Sequence, residues 1–182
     1  MTTAASTETA TVASSLRKLY FVRFAFAIVW AALIFAVGSS LELPAIALLV
    51  LYPLFDLGAA VVDARSNRGN PLLYINMALS LLAAIGLAIA SASGIAAVLI
   101  VWGAWATTAG AVQLIVALRR RKLGGQWPMI LSGGLSVFVG FAFIAMASAA
   151  PESVSSLGGY ATLGGVFFLI SALRLRSAAK GL

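Results

Sequence analysis

Six long apolar stretches constrain this chain more than any other feature. Each is close to the roughly 20 residues that a helix needs to cross a bilayer core about 30 Å thick. Short segments containing Gly, Ser or Pro separate the stretches and leave no room for a soluble domain. Continuous runs of Leu, Ala, Val and Ile lack the alternation of barrel strands, so they predict transmembrane helices. The predicted helices cover residues 20–37, 43–64, 72–91, 95–118, 127–147 and 157–173.

Composition supports an all-α, membrane-embedded fold. Of the 182 residues, 62% are hydrophobic and 9% are charged, whereas soluble domains carry about 25% charged residues. The chain contains no Cys and no His, which excludes disulfides and Cys/His metal sites. No candidate nucleophile stands with a base, so we expect neither an enzyme nor a cofactor.

The charges predict how the helices are oriented. Basic residues cluster at alternate helix ends, and the opposite connections hold only Glu42 and Glu152. Cytoplasmic loops collect Lys and Arg, so both termini are expected in the cytoplasm. Six crossings, an even number, place both termini on the same side of the membrane, which agrees with this orientation.

The termini predict tails on either side of a single membrane domain. Residues 1–15 are rich in Thr, Ala and Ser and predict a disordered cytoplasmic tail. Residues 16–176 form the membrane domain, and residues 177–182 a second cytoplasmic tail. A signal peptide ending near Gly38 is the alternative for the first stretch. The stretch is long enough to span a bilayer, which favours its retention.

An internal repeat with a period of about 55 residues organises the chain. Trp105–Gly110 matches Tyr160–Gly165, and Ala117–Arg119 matches Ala172–Arg174. The repeat predicts three tandem helical hairpins that run in the same direction through the membrane. Many secondary transporters contain inverted repeats instead, so the pattern disfavours a rocking-bundle carrier.

Residues 103–176 resemble the HdeD-type membrane proteins associated with bacterial acid resistance. The matching features are the small-residue runs after Trp105 and Tyr160, the Ala-Leu-Arg endings, Gly133-Gly134 and Pro151. Over the first three helices the resemblance is weaker, because residues 52–56 replace the small-residue run. The resemblance implies a bacterial inner-membrane protein with a role in acid or envelope stress and no established chemistry.

Asp56 is the most informative single residue. It lies about 12 Å inside the basic end of the second helix, where an acid costs roughly 2.5–3.5 kcal/mol on insertion scales. Three roles stay open: a proton-responsive or ion-conducting group, a structural partner of Arg23 or of the backbone around Pro53, and a solvated position in a vestibule. Asp63 stands beside Arg65 and predicts an ordinary charged helix end.

Other polar residues share the cytoplasmic half with Asp56. With Asp56 and Arg23 they predict either a polar cavity or interhelical hydrogen bonds. These residues are Asn76, Gln113, Thr107, Thr108 and Thr162.

Small residues and a basic run complete the candidate features. The small residues favour close helix packing, within one chain or between copies: Ser132, Ser136, Gly140, Ala106, Gly110, Ala161 and Gly165. The run of Arg119, Arg120, Arg121 and Lys122 predicts a positive-inside signal or a site for anionic lipid headgroups, rather than a nucleic-acid site.

Three functions follow as alternatives. The first is a non-enzymatic, HdeD-like membrane protein in stress response. The second is a channel or transporter for protons, ions or small solutes, which predicts that Asp56, Asn76, Gln113 and the threonines line one wet cavity. The third is a scaffold that binds other membrane proteins or a second copy, which predicts a dry core and small residues facing lipid.

Overall fold

Six long α-helices make up most of the described chain. The computed structural model describes residues 2–66 and 70–180, and the side chains of residues 12–66 and 70–175. The described part contains no β-strand, and each helix includes a segment long and apolar enough to cross a membrane. The predicted all-α, multi-pass membrane fold is therefore confirmed. The helices are α1 Thr2–Val37, α2 Leu43–Ser66, α3 Pro71–Ala90, α4 Ile95–Arg119, α5 Trp127–Met146 and α6 Ser156–Lys180.

Local sequence explains where several helices begin. Asn70 caps α3 by accepting a hydrogen bond from the Leu72 amide at 3.2 Å, and Pro71 occupies the first helical position. Gly94 has a φ of 99° before α4, a conformation that other residues rarely adopt.

The outer helices are longer than predicted. α1 begins at Thr2 and therefore includes residues 2–15, which the sequence predicts as a disordered tail. α6 continues to Lys180 and includes most of the predicted tail 177–182. Both extensions continue an existing membrane helix, so they need no new helix nucleus. Met1 and residues 181–182 lie outside the described residues.

The six helices form a ring. Each helix packs against the helices before and after it in the chain, and α1 and α6 pack extensively against each other, which closes the ring. Contacts are densest between α4 and α5, between α1 and α6, and between α2 and α3. The partners within the predicted hairpins 1–2, 3–4 and 5–6 also touch, but less extensively.

The small residues lie inside this ring. A Cβ on Gly110 would stand 2.6 Å from that of Ser136, and one on Gly140 would stand 2.5 Å from the Gly103 carbonyl oxygen. Ser132 is buried beside them, as is Ala106 on α4. At the α1–α6 contact, Ala161 is fully buried, and a Cβ on Gly165 would stand 3.2 Å from that of Ala27. These positions bring neighbouring backbones of one chain together.

The ring has two ends of opposite charge. We call the end with the α2–α3 and α4–α5 connections the basic end, because Arg65, Arg119, Arg121 and Lys122 are exposed there. The other is the acidic end, where Glu42 and Glu152 are exposed. There the Val154 amide donates to the Gly38 carbonyl at 3.0 Å and joins the α1–α2 and α5–α6 connections.

An aromatic cluster fills the ring toward the acidic end. It consists of Trp30, Tyr52, Trp102 and Trp105, whose contacting rings have centroids 4.7–5.9 Å apart. The Trp30 indole donates to the Leu48 carbonyl oxygen at 2.7 Å. Pro53 lies inside α2 and cannot donate to its backbone ladder. The aromatic cluster therefore connects three helices across the ring.

Candidate functional site

An ion pair lies within the membrane-spanning part of the ring. Arg23 on α1 donates a hydrogen bond to the Oδ1 atom of Asp56 on α2. The other carboxylate oxygen accepts hydrogen bonds from Asn76 Nδ2 and Ser80 Oγ on α3, each at 2.7 Å. These donors satisfy both oxygens of an acid that would otherwise be costly at this depth.

Two aromatic residues hold this ion pair in place. The Trp105 indole on α4 donates to Ser80 Oγ at 3.2 Å, so Ser80 connects Trp105 to Asp56. The Arg23 guanidinium lies 4.9 Å from the ring centroid of Phe168 on α6, in a cation–π arrangement. Five helices therefore meet at the Arg23–Asp56 ion pair.

A second ion pair lies nearer the basic end. Arg120 donates two parallel hydrogen bonds of 2.8 Å to the carboxylate of Asp63 on α2. Burial acts to lower the pKa of Arg120, but the hydrogen bonds and charge of Asp63 outweigh it and raise the pKa above its ordinary value. The guanidinium therefore stays charged at any working pH.

This contact corrects two sequence predictions. Arg120 belongs to the run predicted as a positive-inside signal or a headgroup site, but only 8% of it is exposed and it is paired within the chain. Its neighbours Arg119, Arg121 and Lys122 are exposed. Asp63 was expected to form an ordinary charged end beside Arg65, but it binds a guanidinium from the end of α4. The Asp63 side chain lines the cavity inside the ring, and its ion pair is with Arg120 instead of Arg65.

A cavity of about 110 Å³ extends between the two ion pairs. By this measure a water needs about 10–15 Å³, so the cavity has room for several. Its wall on α4 runs from Trp105 to Arg120, which is about 22 Å of helix. The polar residues that line it are Arg23, Asp56, Asp63, Arg120, Asn76, Gln113, Ser132, Ser136, Tyr20, Tyr52 and Tyr160.

The threonines do not line the cavity. Thr107 donates to the Val137 carbonyl at 3.4 Å, and Thr108 is exposed and donates to the Ala104 carbonyl at 2.8 Å. Thr162 donates to the Gly158 carbonyl at 2.8 Å. Thr108 and Thr162 each donate to the carbonyl four residues earlier in their own helix, a hydrogen bond that threonine commonly makes in membrane helices. Gln113 does line the cavity and donates to the Met129 carbonyl at 3.4 Å.

Each end of the cavity is bounded by side chains already described. Toward the acidic end, Tyr52 and Trp105 belong to both the lining and the aromatic cluster, behind which Trp30 and Trp102 are at most 1% exposed. Toward the basic end, Arg120, Asp63 and Tyr20 form the boundary. The end of the cavity nearer the basic end therefore contains an ion pair, and the opposite end is aromatic.

Sequence reasoning missed several residues of this site. Ser80, Tyr20 and Tyr160 were not singled out as site residues, and Arg120 was grouped with its neighbours as a positive-inside signal or a headgroup site. The repeat contained one usable signal, because Tyr52, Trp105 and Tyr160 occupy matching positions on α2, α4 and α6 and all line the cavity. Ser80 carried no comparable signal, since its role depends on the distances to Asp56 and Trp105.

No family model, curated protein or solved structure matches this chain. The resemblance of residues 103–176 to the HdeD family, with the stress role that it implies, therefore stays a prediction. Among residues 12–66 and 70–175, no group of three acids lies where it could hold a metal ion. The site is described by its own side chains: two ion pairs, tyrosine hydroxyls and amides around one cavity.

Proposed function

We propose that this protein is a channel or transporter that admits a small polar solute or ion into the membrane through the basic end. One observation carries the proposal. At membrane depth, the Arg23 and Asp56 side chains keep 16% and 18% of their surface accessible, and both line the cavity that reaches Arg120 and Asp63. Ionisable residues that face an intramembrane cavity commonly mark a solute or ion pathway.

The packing favours this function over a scaffold. A scaffold predicts a dry core and small residues facing lipid. Here Gly110, Ser136 and Gly140 bring α4 and α5 of one chain together, and the core contains a polar cavity. The cavity leaves space beside Arg23 and Asp56 for a bound solute, which supports a role in binding.

The charge asymmetry supports a cytoplasmic opening. Exposed Arg65, Arg119, Arg121 and Lys122 surround the basic end, and cytoplasmic loops of membrane proteins are enriched in Arg and Lys. We therefore propose that the basic end and both termini lie on the cytoplasmic side. The resemblance of residues 103–176 to the HdeD family suggests the inner membrane of a bacterium. The proposed activity is movement of a solute without a covalent step.

Flux into liposomes tests the proposal. Ala109 lines the cavity, whereas Ala104, on the same helix, is exposed. Ala109→Phe fills the cavity, and Ala104→Phe places the same ring on the outer surface as a matched control. We expect the protein and Ala104→Phe to move protons, small ions or small neutral solutes above empty liposomes, and Ala109→Phe to lose that flux. The assay covers each solute class in turn.

Asp56→Asn provides an independent comparison. It keeps the size of the side chain but removes the charge that binds Arg23, so we expect an altered flux rate. Equal flux in Ala109→Phe and Ala104→Phe, or no flux above empty liposomes for any class, would reject the proposal. Size-exclusion profiles of each variant show whether it is folded before flux is compared.

A further inference from the structure

The acids of the cavity are already supplied with hydrogen-bond donors. Asp56 accepts from Arg23, Asn76 and Ser80, so both of its oxygens are occupied. Asp63 accepts from Arg120 at both of its oxygens. Together the two carboxylates accept five hydrogen bonds at about eight lone-pair sites, so few sites remain for a cation.

Both arginines have N–H groups that donate no hydrogen bond within the described residues. A guanidinium carries five N–H groups, and within the part of the chain that the structure describes Arg23 donates one hydrogen bond, to Asp56. Arg120 uses two N–H groups on Asp63. Neutral acceptors remain on the amide groups of Asn76 and Gln113. Arg23 therefore has four unused N–H groups and Arg120 three, more than the roughly three lone-pair sites left on the two carboxylates, and both arginines line the cavity.

We propose that the cavity binds a small anion, held by the free N–H groups of Arg23 and reached past Arg120. This names the solute class and rests on the proposed transport function. A halide, nitrate or a short carboxylate fits in a cavity that has room for several waters. The Tyr52 and Tyr160 hydroxyls also line the cavity and can donate to it. Planar guanidinium groups suit carboxylate and nitrate oxygens.

Fluorescence quenching measures which charges enter. Trp105 lines the cavity, whereas Trp30 and Trp102 are at most 1% exposed and Trp127 is 68% exposed. In a Trp127→Phe background, the accessible tryptophan signal comes from the cavity. Iodide, caesium and acrylamide serve as anionic, cationic and neutral quenchers of protein in a nonionic detergent at constant ionic strength. We expect iodide to quench several-fold more than caesium.

Variants of Asp56 and Arg23 test whether the preference for iodide over caesium depends on the Arg23 guanidinium. Asp56→Asn releases the guanidinium from its partner, so iodide quenching should rise. Arg23→Gln leaves Asp56 without its cation, so the preference should reverse toward caesium. Arg119→Gln removes an exposed charge from the same end without touching the cavity lining, and its iodide quenching should match that of the background protein.

The outcomes separate this inference from the transport function. If acrylamide quenches the fluorescence and caesium quenches as much as iodide or more, the cavity is accessible but the proposed anion site is wrong. Quenching by none of the three overturns both proposals. Preferential iodide quenching in a protein that shows no liposome flux keeps the anion site and rejects transport. If Arg23→Gln does not fold, the background protein and Arg119→Gln still decide, since a surface effect would lower iodide quenching in Arg119→Gln.

Discussion

Arg120 is the least exposed charged residue in the described chain, at 8%, and it depends on a single acidic partner. Removing one member of such a pair leaves the other charge buried, which costs more than the pair itself contributes. We expect Arg120→Gln or Asp63→Asn to lower the free energy of unfolding by about 3 kcal/mol each. Denaturant unfolding in detergent, followed by circular dichroism, measures the loss.

The double variant distinguishes this explanation from general disruption. Asp63→Asn with Arg120→Gln leaves no isolated charge, so its loss should be clearly smaller than the sum of the single losses. Arg119→Gln, at the exposed neighbouring position, should change stability by less than about 0.5 kcal/mol. Additive losses would show that the two charges do not interact.

Residue-level prediction from the sequence succeeded where a charge was unusual for its depth. Asp56 stood out because apolar residues surround it in sequence, and Arg23 was the only cation at a similar depth; the structure places the two in contact. Arg120 belongs to a run of four basic residues, and nothing in that run shows that its second member turns inward. The distinction depends on where α4 ends relative to Asp63, which tertiary packing decides.

Among the helices, α4 and α5 make the closest backbone approach. A Cβ on Gly140 would stand 2.5 Å from the Gly103 carbonyl oxygen and 2.7 Å from the Thr107 amide nitrogen. Both are backbone atoms, so the helices must separate to admit a methyl group. We expect Gly140→Ala to lower the free energy of unfolding by about 1–3 kcal/mol. Thermal unfolding in detergent measures the change.

Gly134 provides a control on the same helix. A Cβ there would have no neighbour within 4 Å, and Ala favours a helix over Gly by up to about 1 kcal/mol. Gly134→Ala should therefore be neutral or stabilising. An equal loss in both variants would show that glycine flexibility in α5 matters, and not the contact with α4.

Helix positions were largely predictable, whereas their partners were not. Apolar length identifies a span, so the predicted starts at Leu43, Ile95 and Trp127 coincide with the observed ones. The start of α1 at Thr2 was missed, since a polar segment gives no apolar pattern even when it extends an existing helix. The repeat predicted hairpins, but which faces pack most closely depends on contacts distant in sequence, as between α1 and α6.

At the scale of the whole molecule, the sequence repeat accounts for which aromatic residues line the cavity. The ring alternates denser and sparser helix contacts, as expected for three copies of one helix pair. Matching aromatic positions Tyr52, Trp105 and Tyr160 therefore converge on the interior. Four residues after each aromatic position, α2 has an acid, Asp56. At the matching positions, α4 has Ala109 and α6 has Gly164. All three positions line one cavity, and α1 and α2 supply both members of its central ion pair.

Closure by the aromatic cluster predicts that the cavity is reached from one side only. The chain has no Cys, so a single introduced thiol reports access without further engineering. Ala60 lines the cavity and is 4% exposed, whereas Ala31 is 2% exposed and packs in the core around Trp30. We expect a small membrane-impermeant thiosulfonate to label Ala60→Cys from the basic side and to leave Ala31→Cys unlabelled.

Oriented vesicles provide the measurement, with the reagent added to one face at a time. The Arg120 and Asp63 side chains keep 9% and 16% of their surface accessible, and we expect water and small solutes to pass them at the basic end. Trp30 and Trp102 are packed too closely for a solvated path at the other end. Labelling of Ala60→Cys from the acidic side would mean that the aromatic cluster opens. Equal labelling of Ala31→Cys would mean that the ring itself loosens, and the cavity would then lose its sidedness.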